Sequence, residues 1–283
     1  MNRRLGLAKV PLCFLIGCST VFGYIWADPV LAGPAFFSGF GIFVIATGAA
    51  TLNSMQEYRL DGELERTRNR PLPKGLLTPM QAGLQALVLF LIGSIILITA
   101  SETLLPVLIA LFAVFLYNAI YTPLKKRTVL AIIPGAICGA LPPYIGWLGG
   151  GGEVVSYAGA LLIVLFVLWQ VPHFWLVLLT FKEDYEKSNL PNFLKQFREE
   201  SLKRFFVTWI GSLVLVMLMF LVLPVHLGSF SRFVIIINAC LLVVAFIYGL
   251  AIRKTSNYRN LFIILNLALF LHMSVLIAGR LYW

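Results

Sequence analysis

Charge is what this sequence has least of. Only 12% of its 283 residues are Asp, Glu, Lys or Arg, against about 25% in a soluble globular domain. With 60% hydrophobic residues and a mean hydropathy of +0.91, that scarcity excludes an ordinary water-soluble fold. Cysteine is sparse too. Cys13, Cys18, Cys138 and Cys240 all fall inside apolar stretches and none forms a CxxC pair, so they read as small buried hydrophobes rather than a metal or disulfide framework. No polar segment is long enough for a second, soluble domain, which leaves 1–283 as one membrane domain.

What is there instead is a series of apolar runs, several reaching the roughly 20 residues a helix needs to cross a bilayer. Lipid offers the backbone no hydrogen bonds, so such runs are expected as helices. Nine spans are read, at about 10–27, 33–52, 80–100, 104–121, 129–149, 155–179, 204–223, 232–251 and 261–282. The fold class is all-α: a polytopic helical membrane domain. The N-terminal stretch, with Arg3, Arg4 and a small-residue VLAG, has the look of a signal peptide, but its apolar part is long for one and more spans follow, so a first span is expected. With nine spans, every Lys and Arg except Arg232 and Arg280 falls on one side, 20 of the 22. The positive-inside rule makes that side cytoplasmic, in a cell (inner) membrane. The net charge of +10 is then a matter of topology and contact with anionic lipid, not of nucleic-acid binding.

The scarce charge is concentrated. The segment NSMQEYRLDGELERTRNRPLPKG, residues 53–75, has nine charged residues among its 23, and loops 53–79 and 180–203 together carry nine of the 12 acids. If span 2 continues as a helix beyond Leu52, Asn53, Glu57 and Asp61 recur at i, i+4 and i+8 on one face. Arg66 and Arg70 make a further i, i+4 pair, and the helix is expected to stop near Arg70, before Pro71. Oxygen ligands on one face suit Mg²⁺, which binds one or two carboxylates plus substrate phosphates, and arginines match phosphate oxygens. A solvated, salt-bridged loop helix would use the same residue types. In the second loop, Asp184 follows a span that contains Gln170 and His173, one turn apart, with the helix expected to break at Pro172 between them. Polar groups at membrane depth usually face the bundle interior and mark function. The run YTPLKKRT sets Lys125, Lys126 and Arg127 at the same membrane face, as diphosphate countercharge or as a topology anchor. Pro142 and Pro143 are expected to break span 5, where small residues allow close packing. Broken helices and midplane polar groups also fit a secondary transporter, but here the polar residues gather at one face.

The order of ERTRNRPLPKG, YTPLKKRT, GALPPYIGW and WQVPHFW…KEDY resembles the UbiA superfamily of intramembrane prenyltransferases. PPYIGW and WQVPHFW resemble its protoheme IX farnesyltransferase (haem O synthase) branch. The likeness runs from about residue 50 to 190. It implies an all-α bundle around a central cavity, with a polar cytoplasmic cap from loops 2–3 and 6–7, Mg²⁺ as cofactor, ionisation of a prenyl diphosphate, farnesyl diphosphate in that branch, and attack on the allylic cation by haem B. A quinone precursor, a tetrapyrrole alcohol or a lipid headgroup is the alternative acceptor. Carried over onto this chain, Asn53, Asp61 and Asp184 are expected at the metal and in catalysis, and Glu57 joins them by its place on the same helix face. Arg66, Arg70, Lys126 and Arg127 are expected at the diphosphate and His173 at the acceptor, where Gln170, one turn away, shares its face. The chain departs from the pattern at Ser54, where a second polar ligand is usual, at Glu57 for the usual Asp, at Arg59 and at Ser188.

Overall fold

The structure is a computed structural model that describes residues 7–63, 65, 67–182, 191, 199–225, 227–252 and 257–281. Among these residues there is no strand, and nine helices are long and apolar enough to span a membrane: α1 Val10–Ala27, α2 Gly33–Glu63, α3 Pro79–Thr99, α4 Leu105–Leu124, α5 Val129–Gly149, α6 Tyr157–Thr180, α7 Ser201–Val222, α8 Ser229–Leu250 and α9 Tyr258–Leu281. Their ends fall within three residues of the spans read from hydropathy, apart from the extension of α2 to Glu63. The protein is an integral membrane protein.

The chain divides into two compact units. The first holds residues 1–127 and 141–152, the second 128–140 and 153–283. In the first, α2 packs along α1 and α3. Small residues bring the backbones together, so a Cβ on Gly41 would come 3.1 Å from the Gly93 carbonyl oxygen and one on Gly17 2.7 Å from that of Gly39. Inside lipid the gain comes from this close contact rather than from expelling water. Helix α3 shows the resulting pattern: Ala82, Ala86, Gly93 and Leu97 are buried, while Leu84, Leu87, Leu91 and Ile95 are exposed along the opposite face. Ile42, Ile45, Leu97, Val107, Ala110, Leu141 and Ile145 form the apolar core of this unit.

In the second unit α6, α7, α8 and α9 close a ring of neighbours, each packed on the next and α9 back on α6. Aromatic edges hold it: Trp175 lies T-shaped on Phe206 at 5.4 Å and on Trp209 at 6.0 Å. Asn238 donates to the Ala268 carbonyl at 2.9 Å, tying α8 to α9.

Three local expectations are corrected. Helix α2 ends at Glu63, not near Arg70. Beyond it the chain turns back, with the Thr67 hydroxyl donating to the Asp61 carbonyl at 2.8 Å and Leu72 buried against Leu7 and Ala82. Burial of Leu72 outweighs two more helical turns, and Gly75, at φ 66°, finishes the reversal. Nor do the prolines break their helices: α5 runs through Pro142 and Pro143, and α6 through Pro172. A proline forfeits one donor and crowds a carbonyl one turn earlier, and neighbouring helices can absorb that inside a membrane.

Candidate active site

The end of α2 divides the charged segment in two. Asn53, Glu57 and Asp61 are 1%, 6% and 5% exposed, whereas Glu65 and Arg68 pair at 3.4 Å on the open surface. A solvated loop helix accounts for the second pair only. Burying two carboxylates is costly unless each finds a partner, and each does.

Asn53 has both amide hydrogens engaged, one on Glu57 Oε2 at 3.1 Å and one on the Thr122 hydroxyl at 3.0 Å. Its Oδ1 accepts from Lys9 Nζ at 2.9 Å. Glu57 Oε2 also accepts from Lys125 Nζ at 2.7 Å, while Glu57 Oε1 is buried with no hydrogen-bond partner. Asp61 Oδ2 accepts from Arg70 at 2.7 Å. Two carboxylates and an amide oxygen thus lie among three cations, Lys9, Arg70 and Lys125. The positive excess suits a polyanion.

Each cation is placed by a local feature. Lys9 stands just before α1 at φ 47°, the single non-glycine with positive φ among the described residues. An L residue there costs about 1–2 kcal/mol, and the surroundings hold it: Leu7 is fully buried, and Lys9 Nζ reaches the Asn53 amide oxygen at 2.9 Å. The Ser54 hydroxyl lies 3.0 Å from the Ala50 carbonyl of its own helix and 3.3 Å from that of Leu7, so its one hydrogen is taken up by backbone. Burial pushes the Lys9 ammonium down to about 8, assisted by the positive charges of Arg70 and Lys125 and opposed by Glu57 and Asp61. Arg70 arrives because the loop folds back. Lys125 arrives because it sits one helical turn after Thr122, on the same side of α4.

The expected residues fare differently. Asn53, Glu57, Asp61 and Arg70 come together. Lys126 does not join them: its Nζ donates to the Gln56 carbonyl at 3.3 Å on the exposed side, and Arg127 is exposed as well. Lys125, in the same basic run, takes the inward place, and the phase of α4 is the signal that finds it. Lys9 has no such signal, being 44 residues from Asn53 in sequence. Arg66 and Asp184 lie outside the described residues. In the second unit, half-buried His173 sits between Trp169 at 4.5 Å and Phe262 at 4.8 Å, its Nδ1 unpartnered. Gln170 lies over Gly139, where a Cβ would come 2.7 Å from its Oε1.

No group of three His, Cys, Asp or Glu side chains is gathered among the described residues. Mg²⁺ does not need one, since it is usually held by one or two carboxylates with substrate oxygens and water completing the shell. The orphaned Glu57 Oε1, beside Asp61 and the Asn53 amide, is a donor set of that kind.

Residues 16–275 match the UbiA prenyltransferase family. The chain belongs to that family. It is 33% identical over 248 residues to a protoheme IX farnesyltransferase of Nitratidesulfovibrio vulgaris (strain DP4), covering 88% of this chain and 85% of that one. It is 40% identical over 187 residues to the protein of that name from Geobacter sulfurreducens, covering 66% and 68%. Among solved structures it is similar to a digeranylgeranylglyceryl phosphate synthase, with a TM-score of 0.81 at 15% identity over 100% of this chain and 99% of the other. It is also similar to a UbiA homologue from Archaeoglobus fulgidus bound to GPP and Mg²⁺, with a TM-score of 0.68 at 17% identity over 97% and 99%. At these identities the structural likeness shows a shared fold. As a UbiA member the protein is an intramembrane prenyltransferase, of a family whose members bind prenyl diphosphate with metal.

Proposed function

We propose that this protein transfers the farnesyl group of farnesyl diphosphate to a vinyl group of protohaem IX, with Mg²⁺, giving haem O. One observation carries the reading: the buried Asn53, Glu57 and Asp61 row on α2, ringed by Lys9, Arg70 and Lys125, in a UbiA chain similar over most of its length to proteins named protoheme IX farnesyltransferase. The whole chain, 1–283, acts as one catalytic domain. Its basic loops face the cytoplasm from the inner membrane, as their charge demands.

The donor's C1–O bond breaks and its electron pair leaves with the diphosphate, so negative charge grows on the leaving oxygens. Fixed positive charge in a water-poor site stabilises that charge far better than solvent could. Glu57, Asp61 and the Asn53 amide oxygen would hold the metal, which when bound would supply countercharge to the leaving group. Lys125, Arg70 and Lys9 turn from these acceptors onto the phosphate oxygens. Arg66 and Asp184 complete this set on the family pattern, and Lys126 and Arg127 add countercharge at the outer edge. Gln170 and His173 serve the haem. The vinyl π electrons attack the allylic carbon, water adds to the resulting cation, and one proton is lost, leaving a hydroxyethylfarnesyl substituent.

Mass spectrometry of the product from haem B, farnesyl diphosphate and Mg²⁺ tests the assignment. The expected product carries one farnesyl group and one hydroxyl, formed only with all three components present. A farnesylated quinone precursor in a parallel incubation, with haem left untouched, would overturn the choice of acceptor.

A further inference from the structure

Between Leu116 and Tyr121, α4 leaves the α register for a π turn. A π turn inserts one residue and shifts each N–H to the carbonyl five back, and such turns often occur at functional sites. This one closes on Thr122, whose N–H bonds to the Tyr117 carbonyl. The Thr122 hydroxyl donates to that same carbonyl at 2.9 Å. Thr122 is 2% exposed.

A threonine hydroxyl has one hydrogen and two lone pairs. With its hydrogen committed to Tyr117, it can only accept from Asn53, and Asn53 Nδ2 lies 3.0 Å away. The amide NH₂ must therefore face Thr122, and its second hydrogen meets Glu57 Oε2 at 3.1 Å. Both donors are then used on the helix side, and the amide oxygen is forced to the opposite side, where Lys9 Nζ reaches it. A second clamp holds the two helices in phase: Asn118 donates to the Ala49 carbonyl at 3.1 Å and to Gln56 Oε1 at 3.2 Å, and Gln56 returns a bond to the Asn118 carbonyl at 3.0 Å.

We propose that Thr122 is a positioning residue for this site: the π turn presents its hydroxyl as an acceptor only, which fixes the Asn53 side-chain amide with its oxygen toward the metal and diphosphate. This rests on the functional reading above. Thr122 touches no substrate; it acts through Asn53. Regular α geometry would place the residue after Tyr121 about 100° away around the axis, so the inserted residue is what turns this hydroxyl onto α2.

The test compares Thr122→Val, which keeps the shape and loses the hydroxyl, with Thr122→Ser, which keeps the hydroxyl. Mn²⁺ binding is followed by electron paramagnetic resonance in the presence of a farnesyl thiodiphosphate, a donor that does not ionise, so the readout is independent of turnover. Loss of a partner that orients a metal ligand typically weakens metal binding about 10–100-fold, and that is expected of Thr122→Val, with Thr122→Ser within about twofold of the parent on the same scale. The Mg²⁺ concentration for half-maximal farnesyl transfer moves in parallel, while the haem KM stays put. A merely structural role would lower folded yield and leave the affinity of the surviving protein unchanged. Thr122→Ala carries the same expectation should the valine variant not accumulate. Parental Mn²⁺ affinity in a folded variant without the hydroxyl would overturn the proposal. A parent protein that binds the thiodiphosphate with Mn²⁺ but makes no farnesylated haem would instead overturn the acceptor assignment, leaving the role of Thr122 in place.

Discussion

At the scale of the residue, two adjacent lysines are separated by chemistry that their sequence neighbourhood conceals. Lys125 and Lys126 stand side by side, yet Lys125 Nζ lies 2.7 Å from the buried Glu57 carboxylate and Lys126 Nζ reaches only a backbone carbonyl at the surface. A hydrogen bond to a charged group contributes about 1.5–3 kcal/mol, so Lys125→Met is expected to raise the donor KM about tenfold or more. Lys126→Met, a surface change, stays within about 0.5 kcal/mol. Steady-state kinetics on the two variants, at saturating haem and Mg²⁺, makes the comparison. Equal effects would return both lysines to a topology anchor. The site was half legible at this scale. Asn53, Glu57 and Asp61 share one face by helical period, and no tertiary information was needed to group them. Arg70 is expected at the diphosphate, but it reaches Asp61 through the reversal that buries Leu72 rather than along a continued helix; Lys9, to which nothing in the sequence points, joins through the left-handed turn before α1.

At the scale of the element, the spans follow from a single constraint, that lipid leaves a backbone no partner outside its own helix. Hydropathy therefore places them well. It cannot see register changes inside them. The π turn at Leu116–Tyr121 and the unbroken passage of α6 through Pro172 depend on what packs alongside. Glycine shows how close that packing is. A Cβ on Gly146 would overlap the Thr20 carbonyl, and one on Gly23 the Pro143 carbonyl, both rigid backbone atoms joining α1 to α5 within the first unit. Overpacking of this kind costs about 1–3 kcal/mol where side chains can adjust, and backbone cannot. Gly146→Ala and Gly23→Ala are expected to lower the melting temperature in detergent markedly. Gly211, on α7, has nothing within 4 Å of its would-be Cβ, and Gly211→Ala removes up to about 1 kcal/mol of helix penalty. Identical melting of all three would show that the small residues of α1 and α5 are incidental to packing.

At the scale of the whole molecule, charge scarcity sets the terms of binding. A chain that keeps so few charges has placed three cations around two carboxylates, and the pairs Lys125 with Glu57 and Arg70 with Asp61 are both closed at 2.7 Å. A divalent metal arriving alone must compete with those ion pairs for the same oxygens and then remain close to displaced positive charge. A diphosphate arriving alone gains the cations but strips the carboxylates of their partners, leaving buried negative charge uncompensated. On the proposed function the two ligands together would exchange partners: the cations would move to phosphate oxygens and the carboxylates would hold the metal, so every buried charge would stay paired. Binding of metal and donor is therefore expected to be strongly cooperative. Coupling of about 1–3 kcal/mol, or 5–150-fold, is the usual range, and linkage requires it to be equal in both directions. Titrating Mn²⁺ with and without farnesyl thiodiphosphate, and the thiodiphosphate with and without Mn²⁺, measures both sides. Lys125→Met should shrink the coupling, because it removes one competitor for the metal and one ligand for the diphosphate at once. Independent binding in the parent protein, or coupling untouched by that substitution, would mean that the ion pairs on α2 are spectators and that the diphosphate is gripped elsewhere.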